Sequence, residues 1–167
     1  TVSCFSEPMG HRGFYSEGIV NRFVQRNVID EYDFVKDDGG GIYTWVAGTE
    51  AAPQKTFFNR IIRNNIVSNA IGTLGGAKSG NFDTAGIYLD GRTMNVEVTD
   101  NTVFNITGPA LYANNPTGVH FTRNLTFNSD RGLGLTRYEW GAIYDAGVTG
   151  NVFVAADATQ AFFEYAD

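Results

Sequence analysis

The chain has 167 residues, 43% of them hydrophobic and 18% charged, with 20 glycines, 4 prolines and a formal net charge of -6. A chain of this size buries about two-thirds of its unfolded surface, which excludes disorder and the mini-protein class; the excess of 18 Asp+Glu over 12 Lys+Arg repels phosphate and argues against a non-specific nucleic-acid binder. A lone cysteine, Cys4, with only His11 and His120 beside it, leaves no internal disulfide and no Cys-based zinc site, and no run approaches the roughly 20 apolar residues of a membrane span.

The opening residues, Thr1 to Glu7, lack the charged and apolar blocks of a signal peptide. Gly13-Phe14-Tyr15-Ser16-Glu17 then introduces a block of glycine, apolar residue, aromatic residue and two more. The block returns as Gly41-Ile42-Tyr43-Thr44-Trp45 and Gly86-Ile87-Tyr88-Leu89-Asp90, and more weakly at Ala110 to Asn114, Gly134 to Tyr138 and Ala161 to Tyr165. Between copies stands an asparagine inside a short apolar run: Asn27, Asn65, Asn101, Asn124 and Asn151. Each follows by three residues an apolar side chain, namely Val24, Ile62, Val98, Phe121 and Val148. Two stretches, 46–55 and 72–82, interrupt the spacing and read as loop insertions by their Gly, Ala, Ser and Pro content. Loops on one side of a repeat protein commonly wall its binding surface.

Short strand-like runs recurring every 20–40 residues or so without helical periodicity indicate a solenoid of strands. The pattern predicts an all-β right-handed parallel β-helix of about six rungs, one domain over residues 1–167. The asparagines are expected to form an inward ladder that satisfies backbone groups at a bend. An antiparallel sandwich or propeller is the rival, but the tight Asn-Gly and Asp-Gly hairpin pairs it needs are scarce. No amphipathic helix is visible to cap either end. The chain therefore reads as a segment of a larger protein, or one whose ends a partner covers.

Alternation along each repeated strand puts Ile42, Ile87, Leu111 and Phe162 inside and turns the aromatic position outward. Two outward columns result. One is Tyr15, Tyr43, Tyr88, Tyr112 and Phe163; the other is Glu17, Trp45, Asp90, Asn114 and Tyr165. Stacked rings with carboxylates and an amide suit a pyranose, whose C–H face meets the rings while its hydroxyls meet the acids. Tyrosine ladders also stabilise a parallel sheet without any ligand.

Glycosidic hydrolysis needs two carboxyl groups in different protonation states. The candidates are Asp38, Asp90, Asp37, Asp83 and Glu17. Asp38 and Asp83 each precede a repeat glycine by three residues and would stack one rung apart, near the retaining distance. Glu17 and Asp90, two rungs apart, would be separated by roughly 9.6 Å, within reach of inverting geometry. The same acidic turn, Asp37, Asp38 and Asp83, offers the hard oxygens calcium prefers, so calcium is the one cofactor the sequence suggests; no other is implied. His120 alternates with inward Val119 and Phe121 and reads as a surface histidine, and His11 lies in a loop before the first block.

The run Asp38-Gly39-Gly40-Gly41-Ile42-Tyr43-Thr44-Trp45, then Ile62-Arg63-Asn64-Asn65-Ile66-Val67, then Gly86-Ile87-Tyr88-Leu89-Asp90 resembles the right-handed parallel β-helix proteins of the pectin-lyase-like superfamily. Within it, the chain is most similar to the carbohydrate-active branch with an SDGGGIYT…RNN-I…GIYLDE pattern, over roughly residues 13 to 128. The resemblance implies a glycoside hydrolase acting outside the cytoplasm, extracellular or periplasmic, on a polysaccharide or oligosaccharide. It further implies Asp38 and Asp90 as the catalytic pair, with Tyr15, Tyr43, Trp45, Tyr88, Tyr112 and Asn114 along the substrate. Asp37 stands where the family has a small residue, and Gly91 where it often has a second acid. Other readings are a non-catalytic glycan-binding or structural β-helix of the adhesin or tailspike kind, and a polysaccharide lyase using Arg92 or Lys78 against a uronate carboxylate.

Overall fold

A computed structural model describes residues 14–15, 23–33, 38–46, 60–70, 84–91, 93–137 and 141–166, with only the backbone at 14, 15 and 46. The described residues form fourteen strands and no helix. In chain order these are β1 (Phe14–Tyr15), β2 (Phe23–Gln25), β3 (Val28–Tyr32), β4 (Gly40–Val46) and β5 (Arg60–Arg63). Then come β6 (Ile66–Ala70), β7 (Ala85–Gly91), β8 (Met94–Thr99), β9 (Thr102–Asn114) and β10 (Thr117–Thr122). The last four are β11 (Leu125–Thr136), β12 (Tyr144–Thr149), β13 (Val152–Val154) and β14 (Ala161–Ala166).

Every pairing among the described residues is parallel. One sheet has five strands in the order β12-β10-β8-β5-β2, and the other has nine. The larger sheet contains two rows of pairing. One row joins β3, β6, the first half of β9, the first half of β11 and β13. The other joins β1, β4, β7, the second half of β9, the second half of β11 and β14. Strands β9 and β11 are long because each runs through both rows. The chain therefore visits the repeat-block row, the five-stranded sheet and the asparagine-block row in the same cyclic order.

The bends explain this course. Arg26, Asn64, Asp100, Arg123 and Gly150 all take left-handed φ between 53° and 66°, each immediately before a ladder asparagine. The asparagine then points inward. Asn65 Oδ1 accepts from the Asn27 backbone N–H at 3.1 Å, and its Nδ2 donates to the Val24 carbonyl at 2.9 Å. Asn101, Asn124 and Asn151 repeat both contacts with the preceding repeat. Polar groups stripped from water by the bend thus regain partners. Asn65, Asn101 and Asn124 are each 1% exposed, so the expected inward ladder is present.

The apolar residue three positions earlier forms its own buried column, Val24, Ile62, Val98 and Phe121, which opens at Val148. With Ile29, Val67 and Val103 from one row and Ile42, Ile87, Leu111 and Leu133 from the other, these side chains form one core that all three rows face. Gly41 and Gly86 belong to this packing. A Cβ on Gly86 would lie 2.4 Å from Val103 Cγ1 and 2.4 Å from the Ala110 carbonyl oxygen. These two glycines are needed for space, and the left-handed residue of the Asp-Gly-Gly-Gly turn is Asp38 itself, at φ 57°.

Two weak copies of the block are displaced from the reading above, the one at Gly134 by two residues and the one at Ala161 by one. Leu133, not Leu135, pairs with Leu111, and Phe163, not Phe162, pairs with Leu133. The pairing of β9 with β11 has a register irregularity between Ser129 and Arg131. The two-residue displacement keeps the faces and puts Gly134 in the tyrosine column, level with Tyr112; the one-residue slip in β14 exchanges faces, so Phe163 and Tyr165 follow the apolar column. At this end of the stack Phe162, Phe163 and Tyr165 are all exposed.

Candidate functional site

The site is built on β4, β7 and the second half of β9, on the side of the sheet opposite the main core. Register places Tyr43 against Tyr88, Tyr88 against Tyr112, and Trp45 against Asp90. Tyr15 is level with Tyr43 on β1. The tyrosines alternate away from the core as expected, but they do not form an open aromatic surface: Tyr43 is 4% and Tyr88 3% exposed. The reason is lateral packing. The Tyr43 and Tyr88 rings meet edge to face at 5.1 Å, Tyr88 and Tyr112 lie 4.9 Å apart, and Ala85 and the half-buried Trp45 complete a second apolar cluster. Tyr112, half-buried, lies over Gly134, where a Cβ would come within 2.9 Å of its ring.

Asp90 sits at the edge of this cluster, 9% exposed. Its Oδ2 accepts from the Tyr43 hydroxyl at 2.5 Å, and its Oδ1 accepts from the Gly91 N–H at 2.6 Å and from Asn114 Nδ2 at 2.8 Å. Gly91 has a left-handed φ of 68°, and the Thr93 hydroxyl donates to the Asp90 carbonyl at 2.8 Å. A glycine accommodates this conformation without strain, which accounts for Gly91 where an acid was expected. Asn114 Nδ2 also donates to the Tyr88 hydroxyl at 2.9 Å, and the Tyr112 hydroxyl shares a hydrogen bond with Thr136.

Burial first, then the charges of Asp90 and Asp38, push the Tyr88 phenol well above its ordinary range. Both aspartates of the motif therefore bear on one hydroxyl, which stays protonated. Tyr112 is raised too, mainly by burial. Asp38 is partly exposed. Asp37, Asp83 and Glu17 lie outside the described residues, as do Arg92, Lys78, His11, nearly all of 46–55 and all of 72–82; the side chain of Tyr15 is likewise outside them. Among the described residues no group of three or more His, Cys, Asp and Glu side chains is placed to hold a metal ion. The acidic turn considered for calcium falls mostly outside that set.

Two features escaped the sequence reading. A second asparagine ladder runs along the outside: Asn128 donates to Asn105 and Asn105 to Asn69, each at 2.9 Å. Its members stand four residues after Asn124, Asn101 and Asn65, so the first ladder's frame carried the signal. On the five-stranded sheet, His120 Nδ1 lies 3.0 Å from Glu97 and its Nε2 3.7 Å from Asp145, in a groove shared with Phe23, Ile61 and Asn95. Glu97 and His120 each stand four residues before a ladder asparagine. His120 is half-exposed as expected, and the hydrogen bond to Glu97, followed by the nearby carboxylate charges, raises its pKa.

Comparison with family models, with curated proteins and with solved structures gave no match.

Proposed function

We propose that the chain is a right-handed parallel β-helix of about six rungs and that its outer face carries a glycoside hydrolase site built on Asp38 and Asp90. The cyclic order of the three pairing rows supports the coil. The site reading is carried by one observation: the Asp90 carboxylate is fixed by Tyr43, Gly91 and Asn114 while Asp38 and Asp90 both act on the adjacent Tyr88 hydroxyl. All three contacts use Asp90 as an acceptor, which suits the base or nucleophile. Asp38, on its left-handed turn, is the acid. Asp38 gives its proton to the leaving glycosidic oxygen, and Asp90 takes a proton from the attacking water or attacks the anomeric carbon. Trp45 and Tyr112, the half-exposed rings of the cluster, face the sugar, and the substrate is an extracellular or periplasmic polysaccharide or an oligosaccharide.

The test is release of reducing ends from a panel of oligosaccharides. Asp38→Asn and Asp90→Asn should each lower the rate by about 10²–10⁴-fold; undiminished turnover in either variant refutes the assignment. An ultraviolet-absorbing unsaturated product would make the chain a lyase instead. The burial of Tyr43 and Tyr88 favours a second reading, a non-catalytic glycan-binding or structural β-helix in which this cluster glues neighbouring turns. On that reading no product forms, and Trp45→Ala abolishes glycan binding while Asp38→Asn does not.

A further inference from the structure

The asparagine-block row has an outer side too, and it is apolar. Val28, Ile66, Leu125 and Val152 lie in one column across β3, β6, β11 and β13, and Phe127 and Val154 follow two residues later in a second. These six side chains are between 41% and 64% exposed. Thr102 and Phe104 of β9, half-buried, fill the place between Ile66 and Leu125. On the repeat-block row the outward Tyr43 and Tyr88 cover each other, whereas no described residue covers this strip. Its charged member, Asp30, ends the second column and accepts from the Ser68 hydroxyl at 2.6 Å and from Asn69 Nδ2 at 2.7 Å. A contiguous exposed apolar patch of about 300–600 Å² is the kind of surface that docks a partner. Both long rims of the strip are polar. Arg26 stands two residues before Val28 and Glu31 three residues after it, both exposed, and neither has an ion-pair partner among the described residues.

We propose that this face is the interface of a two-fold homodimer whose axis runs across the strands, so that each strand of the row opposes the same strand of a second copy in the opposite direction. A two-fold interface must carry both members of every complementary pair on one surface, and this one does. The rotation exchanges the two columns: Leu125 of one copy meets Phe127 of the other, and Val152 meets Val154. It also exchanges the rims, which brings Arg26 of each copy to Glu31 of the other, cation to carboxylate. Strand directions stay aligned, as packed sheets require. The alternative two-fold axis, along the strands, would lay β3 over β13 and set Glu31 beside the exposed Asp157, acid near acid, with Arg26 over Gly150. The face covers five strands and about six residues of each, roughly 24 Å by 20 Å. The relief of its side chains brings that area near the 600 Å² or so per partner at which stable interfaces begin. The interface lies on a different row from the glycan site and does not depend on it.

The experiment is sedimentation equilibrium of the full chain across the micromolar range, which should show a species of twice the mass of one chain. Leu125→Glu buries a charge against Phe127 and should raise the dimer dissociation constant about 100-fold or more. Arg26→Glu and Glu31→Arg each turn two attractive contacts per dimer into repulsive ones and should each weaken it about tenfold. The double variant restores the pairs across the axis and should return to within about threefold of the native value. Melting of each variant establishes that it folds; if Leu125→Glu does not, the charge exchange decides. A chain that sediments as a monomer throughout overturns the proposal, whether a different protein or one of the chain's own loops covers the strip instead. So does an assembly larger than two, since a two-fold face closes on itself. A dimer indifferent to Leu125, or a double variant no tighter than the single ones, overturns it as well.

Discussion

Replacing Asn101 by alanine tests how much of the fold depends on the inward ladder. The Asn101 side chain makes four hydrogen bonds: Nδ2 donates to the Ile62 carbonyl and to Asn124 Oδ1, and Oδ1 accepts from the Asn65 backbone N–H and from Asn65 Nδ2. Truncation leaves the Asn65 N–H, one Asn65 amide hydrogen and one bond to the Ile62 carbonyl unmet, at a position where Asn65 is 1% exposed. Buried groups stripped in this way cost about 1–3 kcal/mol each, so the variant should lose roughly 3–9 kcal/mol. That is a large share of the 5–15 kcal/mol or so that stabilises a typical domain. At the end of the ladder Asn151 makes three such bonds but is half-exposed, so water can replace them; Asn151→Ala should cost only about 1 kcal/mol. Urea denaturation of both variants with unchanged slope measures the difference. Equal losses at the two positions, or a loss below about 1 kcal/mol at Asn101, would refute the claim that the ladder is satisfied internally rather than by solvent.

Two further outcomes follow from packing and charge. Gly86→Ala should destabilise by more than about 3 kcal/mol, because the added carbon meets the Ala110 carbonyl and Val103 at once. Gly134→Ala meets only the Tyr112 ring and should fold; thermal melting that ranks the two the other way would show that β9 can shift. The raised His120 pKa contributes stability that is fully present below the unfolded value near 6.5 and is lost as pH rises through the higher folded value. Imidazole resonances followed by NMR should show His120 titrating above 6.5, and Glu97→Gln should return it toward that value; an unmoved titration would mean the 3.0 Å contact does not persist in solution.

The parts of the fold legible in the sequence are those in which one residue type recurs at one place. Five asparagines, each three residues after an apolar side chain, predicted a buried ladder and the column beside it, and Ile42, Ile87 and Leu111 predicted the parallel register. Legibility failed where the repeat loses its signature residue. Gly134 replaces the tyrosine, and Leu133 and Leu135 are equally apolar, so nothing local marks which of them is level with Leu111; in the pairing with β9 it is Leu133. Alternation could assign Tyr43 and Tyr88 to the outer side of the sheet, but not the ring-to-ring packing that buries them, which depends on contacts between turns 45 and 24 residues apart. Asp90 and Asn114 were legible as members of one column on the outer side of the sheet, and they do touch. The Asn114 carboxamide's direction was not, because it follows from Asp90, 24 residues away.

The distance along the chain between partners in the repeat-block row is uneven: 45 residues from Ile42 to Ile87, 24 to Leu111, 22 to Leu133 and 30 to Phe163. Spatial partnership is nevertheless preserved at each step. Length is thus a quantity that descendants of this protein can alter freely at one corner, leaving the scaffold's other corners untouched. New appendages can be tried beside Asp90 by simple insertion, with no redesign of the frame that holds it.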